Sequence, residues 1–543
     1  MSTRRKRTMT NTANNPRLDP LAFLNADIIY IIISYLPVGG VVCLERVSRS
    51  WRDLMREWMI KLGTRYIIQP TWHPAGLTNP MKPLPYPEFK EHARSIHRMQ
   101  SGLLSSAHKF EDAAYFSVSG QYAVWVLKSD THSHRLYDPS IQDTPSDIIY
   151  WRTLSKDAPK RPVKTVDVLR LWRPGRDAVF VNGLFVNDDG IIIVSLTLGR
   201  QWHRRERVVV FSLVENSVLW SRDSEVVMLA GIVPIAIGAS HFYAAIWNPI
   251  RQRYLLLAED FQTGEQAHMS DVLSSDWRWA DRDSNDNLEY GWGFANVVKV
   301  SNGVELLLQL KSVAAMGVGE IEIFRGSDGT LVGCTPCTNT GVNSVLSHPP
   351  TGHIAFTSEV TRMPQLHGAL DAFGRYRIFV TRRFSYDETT GMRLLCSDVV
   401  LIPQDWLIRP NGCPWSPVSI DPFNRVAFVS SAQKPEEEHS DSSWTVWSCP
   451  LVLAEDPDLC DAAVAAMHKT FAPSELASTP AVASRCYVLS NGTQVTLPAS
   501  PEKRRKERVP LMLPSPMGQW LTRGAGSQVL FLVDDEYYVL NFC

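Results

Sequence analysis

The sequence predicts an α+β multidomain chain. A small N-terminal unit of three helices comes first, then a large all-β domain in the form of a β-propeller of about seven irregular blades, with a large β-sandwich or barrel as the alternative. Three observations carry this. Apolar residues between 24 and 58 recur at helical spacing, broken at Pro37 and Gly39–Gly40. From about Ala113 the apolar period shortens to two. Short strand-like runs bounded by turn residues then recur to the end of the chain.

Composition sets the bounds. The 543 residues leave room for one small domain and one large repeat architecture. The chain is 44% apolar and 20% charged, ordinary for a folded protein. Its formal net charge of -1 gives no global field toward nucleic acid or a membrane surface. The 9 cysteines in 543 residues do not make a disulfide scaffold, which fits a reducing compartment and a cytoplasmic or nuclear location. Residues 1–19 read as a disordered basic tail, since no signal-peptide core follows MSTRRKRTMT. Asn491–Thr493 matches a glycosylation sequon and reads as a hairpin turn.

Residues 20–62 form the first unit. Asn25 can cap a helix, and Asp27 then sits at the positive end of its dipole. Ile28, Ile29, Ile32, Tyr35 and Leu36 follow at helical spacing. Pro37 cannot continue the hydrogen-bond ladder, and Gly39–Gly40 permit a turn. Val41 to Val47 is a second apolar segment. Ser48 can cap a third helix bearing Trp51, Leu54, Met55 and Trp58. So short a unit cannot hide all this apolar surface by itself, because domains below roughly 40 residues need a disulfide, a metal or a partner. Cys43 is the only cysteine here, so a partner is the best-fitting answer. Other readings are a buried strand made of the Ile-rich run and a helix pair with no partner. A membrane span needs about 20 apolar residues, and this run ends at Pro37.

At these residues the chain resembles an F-box. That family's pattern is a leucine–proline pair, an acidic residue, a run like IL-x-x-IL-x-YL, a nearby proline, then V-S-x-x-W-x-x-L. Leu24, Asp27, Ile28, Ile29, Ile32, Tyr35, Leu36, Pro37, Val47, Ser48, Trp51 and Leu54 match it. Asn25 stands where the family has the proline of its opening pair. Both residues start helices well. The resemblance is confined to residues 24–58.

Residues 63–112 read as a connector. Pro70, Pro74, Pro80, Pro83, Pro85 and Pro87 forbid a regular element, and Glu88–Met99 then carries a one-sided helical pattern. Residues 113–543 read as the propeller. SGQYAVWV (119–126), NDDGIIIVSL (187–196) with RVVVFSL (207–213), and NPIRQRYLLLAED (248–260) begin the series. SNGVELLLQL (301–310), HPPTGHIAFTS (348–358), DPFNRVAFVSS (421–431) and GSQVLFLVDDEYYVLNF (526–542) continue it. The final strand pair is expected to close the ring on strands near 113–126. No Trp-Asp dipeptide occurs, so no WD signature supports the repeat. The extra length is assigned to loops at 127–163, 264–291, 359–373, 432–442 and 453–482, with a helix at 455–468.

Marked catalytic motifs are missing: no P-loop, no G-x-S-x-G, no H-E-x-x-H, no G-x-G-x-x-G. Cys334, Cys337, His348 and His353 approach a zinc-finger spacing, but Pro349, Pro350 and Gly352 preclude the single helix that would carry both histidines. Asp281–Asn287 resembles the start of a calcium loop, yet Trp292 stands where the closing glutamate belongs. No catalytic residue, metal or cofactor is expected. Two basic clusters, Trp202–Arg207 and Lys503–Arg508, read first as solvated surface. Trp202, Arg204, Arg205 and Arg207 are the candidates for substrate contact, the arginines for pairing with phosphate. The Lys503–Arg508 run also fits a nuclear-import signal.

The resemblance implies a function. F-box proteins bind a Skp-family adaptor, and through it cullin and RING subunits, while the C-terminal domain selects a protein substrate. The chain is therefore expected to be the non-catalytic substrate-recognition subunit of an SCF-type ubiquitin ligase, with neither nucleic acid nor membrane as partner. Leu24, Ile28, Ile29, Ile32, Leu36, Val47, Trp51 and Leu54 are the expected adaptor-facing or unit-core set. Alternatives are an F-box scaffold outside a ligase and a propeller that binds a ligand or acts as an enzyme.

Overall fold

The computed structural model describes residues 24–36, 38–68, 84–110, 113–127, 148–154, 162–172, 179–198, 205–225, 232–248, 253–270, 295–300, 303–313, 318–338, 342–348, 352–359, 376–404, 418–432, 444–470, 485–495, 511–512, 522–523, 526–533 and 536–542. Helices α1 (Ala26–Ser34), α2 (Val38–Leu44) and α3 (Arg49–Trp58) come first, and Met59–Ile68 continues α3 as a wider π-type helix. Helix α4 (Tyr86–Gln100) follows, at the place the sequence predicts.

Among the described residues the rest is mainly antiparallel sheet. Sheet 1 contains Ala113–Val118, Tyr122–Leu127, Ile148–Thr153 and Lys164–Asp167. Sheet 2 contains Val179–Val186, Ile191–Leu198, Arg205–Ser212 and Ser217–Glu225. Sheet 3 spans Ile232 to Ser270, and sheet 4 spans Ala295 to Thr338. Each is a four-stranded meander in chain order. Sheet 5 is nine-stranded, from Val342 to Val495. Sheet 6 closes the series with strands from 511 to 541 and with Ser106–Phe110.

In sheets 1 to 5 the first strand of each lies against the first strand of the next, and Val418–Asp421 of sheet 5 and Leu511–Met512 of sheet 6 continue the series. That order, with strands stepping outward from a central position, is a β-propeller. It displaces the sandwich and barrel alternatives. The reason for the apolar runs follows directly. In sheet 2, Ile192, Val194, Val209 and Phe211 pack toward sheet 1, whereas Ile193, Val208 and Val210 pack toward sheet 3. A strand buried on both faces reads as a continuous apolar run, hence IIIVSL and VVVF.

Three expectations need correction. The blades are not about seven separate units. Sheets 1 to 4 and 6 are separate, but Cys486–Leu489 joins two strand stacks into the nine-stranded sheet 5. It pairs parallel with Gly391–Pro403 and antiparallel with Trp444–Leu453. Second, the chain closes elsewhere. Glu536–Asn541 pairs with Ser106–Phe110, register Ser106↔Asn541, and not with strands 113–127. The propeller thus begins inside the expected connector. Third, the expected loop 127–163 contains the strand Ile148–Thr153, and the expected loop 264–291 contains Gln266–Ser270. The helix expected at 455–468 is found at Pro457–Thr470.

Polar side chains tie neighbouring sheets together at their first hairpin turns. Gly120 N donates to Asp188 Oδ1 at 2.7 Å. Asn187 Nδ2 donates to the Gly238 carbonyl at 3.1 Å, and Ser240 N to Glu305 Oε1 at 3.2 Å. Gln528 Nε2 donates to the Gly120 carbonyl at 2.9 Å, linking the last sheet to the first. Gly190 has φ 75 in one such turn, where a Cβ would also meet the Tyr122 ring.

Candidate functional site

The caps fix the helical unit. Asn25 Oδ1 accepts from Asp27 N at 3.3 Å, and Ser48 Oγ accepts from Trp51 N at 3.2 Å. Helix α1 then presents two apolar stripes. Ile29 and Ile33 are buried, at 5% and 2% exposure. They pack with Val41, Met55, Trp58, Met59, Phe89, Ala93 and Ile96. The other stripe faces outward: Leu24, Ile28, Ile31, Ile32 and Tyr35 are exposed, Tyr35 at 84%. Val47, in the turn before α3, is 59% exposed. Each such isoleucine would gain about 1–2 kcal/mol on being covered.

The expected adaptor-facing set therefore divides. Leu24, Ile28, Ile32 and Val47 lie on the surface. Ile29 belongs to the unit's own core, and half-buried Leu36 and Leu54 pack against it. Trp51 is half-buried. Ile31 and Tyr35 join the exposed stripe without having been in the set. The spacing Leu24, Ile28, Ile31, Tyr35 marks that stripe, but the stripe through Ile29 and Ile33 is equally apolar. Periodicity alone cannot say which is covered.

Helix α4 fixes this unit on the propeller. Its Phe89, Ala93 and Ile96 belong to the helical core, while Met99 belongs to a core shared by sheets 5 and 6, with Phe428, Val529 and Phe542. Gln100 Nε2 donates to the Asn424 carbonyl at 3.0 Å, and Ser448 Oγ donates to the Met99 carbonyl. The His92 ring lies 6.1 Å from that of His348, which stacks on Phe423. Burial holds the His92 and His353 imidazoles down, to about 4 and about 3, with Arg383 also lowering His353. Glu45, 5% exposed, accepts from Lys90 Nζ at 2.5 Å and from the Tyr86 hydroxyl. Burial pushes its carboxyl up, but these two donors outweigh that and hold it below its ordinary value.

The expected substrate contacts are placed as follows. Trp202 and Arg204 lie outside the described residues. Arg205 opens the strand Arg205–Ser212. Arg207 is engaged: it pairs with both oxygens of Asp223, Nη2 at 2.7 Å from Oδ2, and lies 4.9 Å over the Trp172 ring. The runs 4–7, 281–287 and 503–508 lie outside the described residues. Cys334 is on the strand Leu331–Thr338, and His348 faces His353 across a hairpin. Among the described residues no group of three or more His, Cys, Asp or Glu side chains is placed to hold a metal. No helix of the described residues is long and apolar enough to cross a membrane.

One pocket of 420 Å³ opens among sheets 3, 4 and 5, lined by Ser240, His241, Glu305, Arg325, Ser327 and Glu388 among others. Ser240 Oγ lies 2.9 Å from His241 Nδ1, and Glu305 Oε2 lies 4.0 Å from the same nitrogen. A catalytic relay needs the hydroxyl and the carboxylate on opposite ring nitrogens. This trio does not have that geometry. Glu305 instead latches the Ala239–Ser240 turn.

No family model and no curated protein sequence matches the chain. Solved structures do. The Dos1 propeller is 8% identical, covering 80% of this chain and 95% of its own, with a TM-score of 0.36. The WD40 domain of SCAP from fission yeast is 7% identical, covering 80% and 98%, with a TM-score of 0.32. Hydrazine synthase from Kuenenia stuttgartiensis is 12% identical, covering 72% and 89%, with a TM-score of 0.33. The chain is similar to these in sheet architecture, and its own strand order carries the propeller assignment.

Proposed function

We propose that this chain is the substrate-recognition subunit of an SCF-type cullin–RING ubiquitin ligase, its N-terminal helices acting as an F-box that binds a Skp-family adaptor. One observation carries the reading. A helical unit with a complete core of its own leaves a row of large apolar side chains, Leu24, Ile28, Ile31, Ile32 and Tyr35, open to water. Contiguous exposed apolar patches mark interaction surfaces. Helix α4 adds support, because it holds this face in fixed relation to the propeller through two cores. A receptor needs that: catalysis by proximity works only if the bound substrate stays near the conjugating enzyme. The propeller is then the substrate-binding body.

The test is affinity purification of the full chain with mass spectrometry, with and without proteasome inhibition. Adaptor, cullin and a substrate that accumulates under inhibition are the expected recoveries. Ile32→Asp, which touches no buried residue's place in the core, should abolish adaptor recovery and leave the fold intact by circular dichroism. Recovery of adaptor without cullin would favour a scaffold outside a ligase. Recovery of neither by a folded wild-type chain would sink the proposal.

A further inference from the structure

Several cations of the helical unit are engaged within it. Lys61 pairs with Glu57 at 2.5 Å, Lys90 with Glu45, and Arg56 lies 5.0 Å over the Tyr86 ring. Arg46, Arg49 and Arg52 are exposed and belong to no ion pair among the described residues. Arg49 and Arg52 are three apart on α3, so they share a face, and Arg46 lies in the turn that leads to it. Exposed Val47 sits in the chain between Arg46 and Arg49. The acidic residues nearby leave this group net positive. Glu45 is consumed by Lys90 and Tyr86 and Glu57 by Lys61, while Asp53, one turn after Arg49, forms no ion pair among the described residues. Like-charged guanidiniums on one short segment repel one another, which costs stability in the free chain. An occupant that brings carboxylates removes that cost.

We propose that the surface received by this unit is apolar opposite Val47 and the exposed α1 stripe, and acidic opposite Arg46, Arg49 and Arg52. The proposal rests on the adaptor reading above and specifies its chemistry: the docked face of the Skp-family adaptor carries a carboxylate rim. Apolar contact with a charged rim is the ordinary anatomy of an interface, in which the rim sets association rate and salt dependence more than residence time.

The experiment measures association and dissociation of the full chain with a recombinant Skp-family adaptor. It compares low with raised ionic strength, for wild type, for R46E/R49E/R52E and for R46Q/R49Q/R52Q. Exposed charges are screened beyond about 10 Å at 0.1 M salt. Wild-type association should slow as salt rises. The glutamate variant should associate about tenfold more slowly at low salt and lose the salt dependence, with the glutamine variant between. Dissociation should change little in either. All three chains must keep the same circular dichroism. Binding by wild type with no salt response, matched by the glutamate variant, would overturn the acidic rim while leaving the adaptor reading standing. No binding by the wild type would overturn both.

Discussion

Isoleucines meet two fates in this molecule. In sheet 2, Ile192 and Ile193 point to opposite faces, and both are fully buried because a neighbouring sheet lies on each side. In α1, Ile32 and Ile33 are also adjacent, yet Ile33 is 2% exposed and Ile32 43%. The propeller supplies both of its partners from its own chain. The helical unit supplies one. That difference separates a body whose apolar strands are covered on both faces from a unit whose outer apolar face is left open.

The largest test of this contrast opens the ring. Truncation after Val533 removes Glu536–Asn541, the strand between Ser106–Phe110 and Gly526–Val533. It also removes Val539, Leu540 and Phe542 from two cores and exposes two unpaired strand edges. The expected outcome is an aggregating chain with no cooperative unfolding transition, read by calorimetry and sedimentation. A soluble truncated chain that melts like the full one would mean the closure is dispensable.

Next in size is the helical core. Trp58, 1% exposed, packs with Ile29, Ile33, Met55 and Phe89. Trp58→Ala should cost about 4 kcal/mol, within the usual range for emptying a large buried aromatic site. Because Phe89 is on α4, the loss should spread to the junction with the propeller. Hydrogen exchange should quicken in α1 to α4 and stay slow in sheets 1 to 4.

These two cases show what was legible in the sequence. Caps and apolar periods placed α1, α3 and α4 because Asn25, Ser48 and the proline run act locally. Strands such as Arg205–Ser212 were legible because burial on both faces leaves an unbroken apolar run. The closing strand Ser106–Phe110, SAHKF, was not. It is polar at alternate positions, and its partner is more than four hundred residues away. Cys486–Leu489 was missed for a related reason: four residues carry no period, and its fusing role depends on two strands brought together by the fold. In α1 both stripes are apolar, so only the packing of α3 and α4 decides which one is covered.

A smaller effect comes from pH at the junction. His92 and His353 have folded-state pKa values of about 4 and about 3, below the ordinary 6.5, because burial disfavours the imidazolium. Above pH 6.5 both are neutral in either state and contribute nothing. As pH falls below 6.5 the unfolded chain takes up protons that the folded chain refuses, so stability falls progressively down to about 4 for His92 and about 3 for His353. The midpoint of denaturant unfolding should drop over that window, and His92→Gln should flatten the drop. An unchanged slope in the variant would show that His92 is not held in its neutral form.

The smallest stability effect is the most telling. Ile32→Ser removes an apolar side chain that water already reaches, so its cost should lie within about 0.5 kcal/mol, as for other surface changes. Ile33→Ser, one residue along the same helix, should cost about 3 kcal/mol or more, since it empties a packed site and buries a hydroxyl. Function should run the other way. On the adaptor reading proposed above, Ile32→Ser in a folded chain should weaken adaptor recovery sharply, because the apolar area it deletes is the area that complex would bury. If instead Ile32→Ser proves as destabilising as Ile33→Ser, the outer stripe is already covered by this chain's own residues. The contrast between the finished propeller and the unfinished helical unit would then disappear.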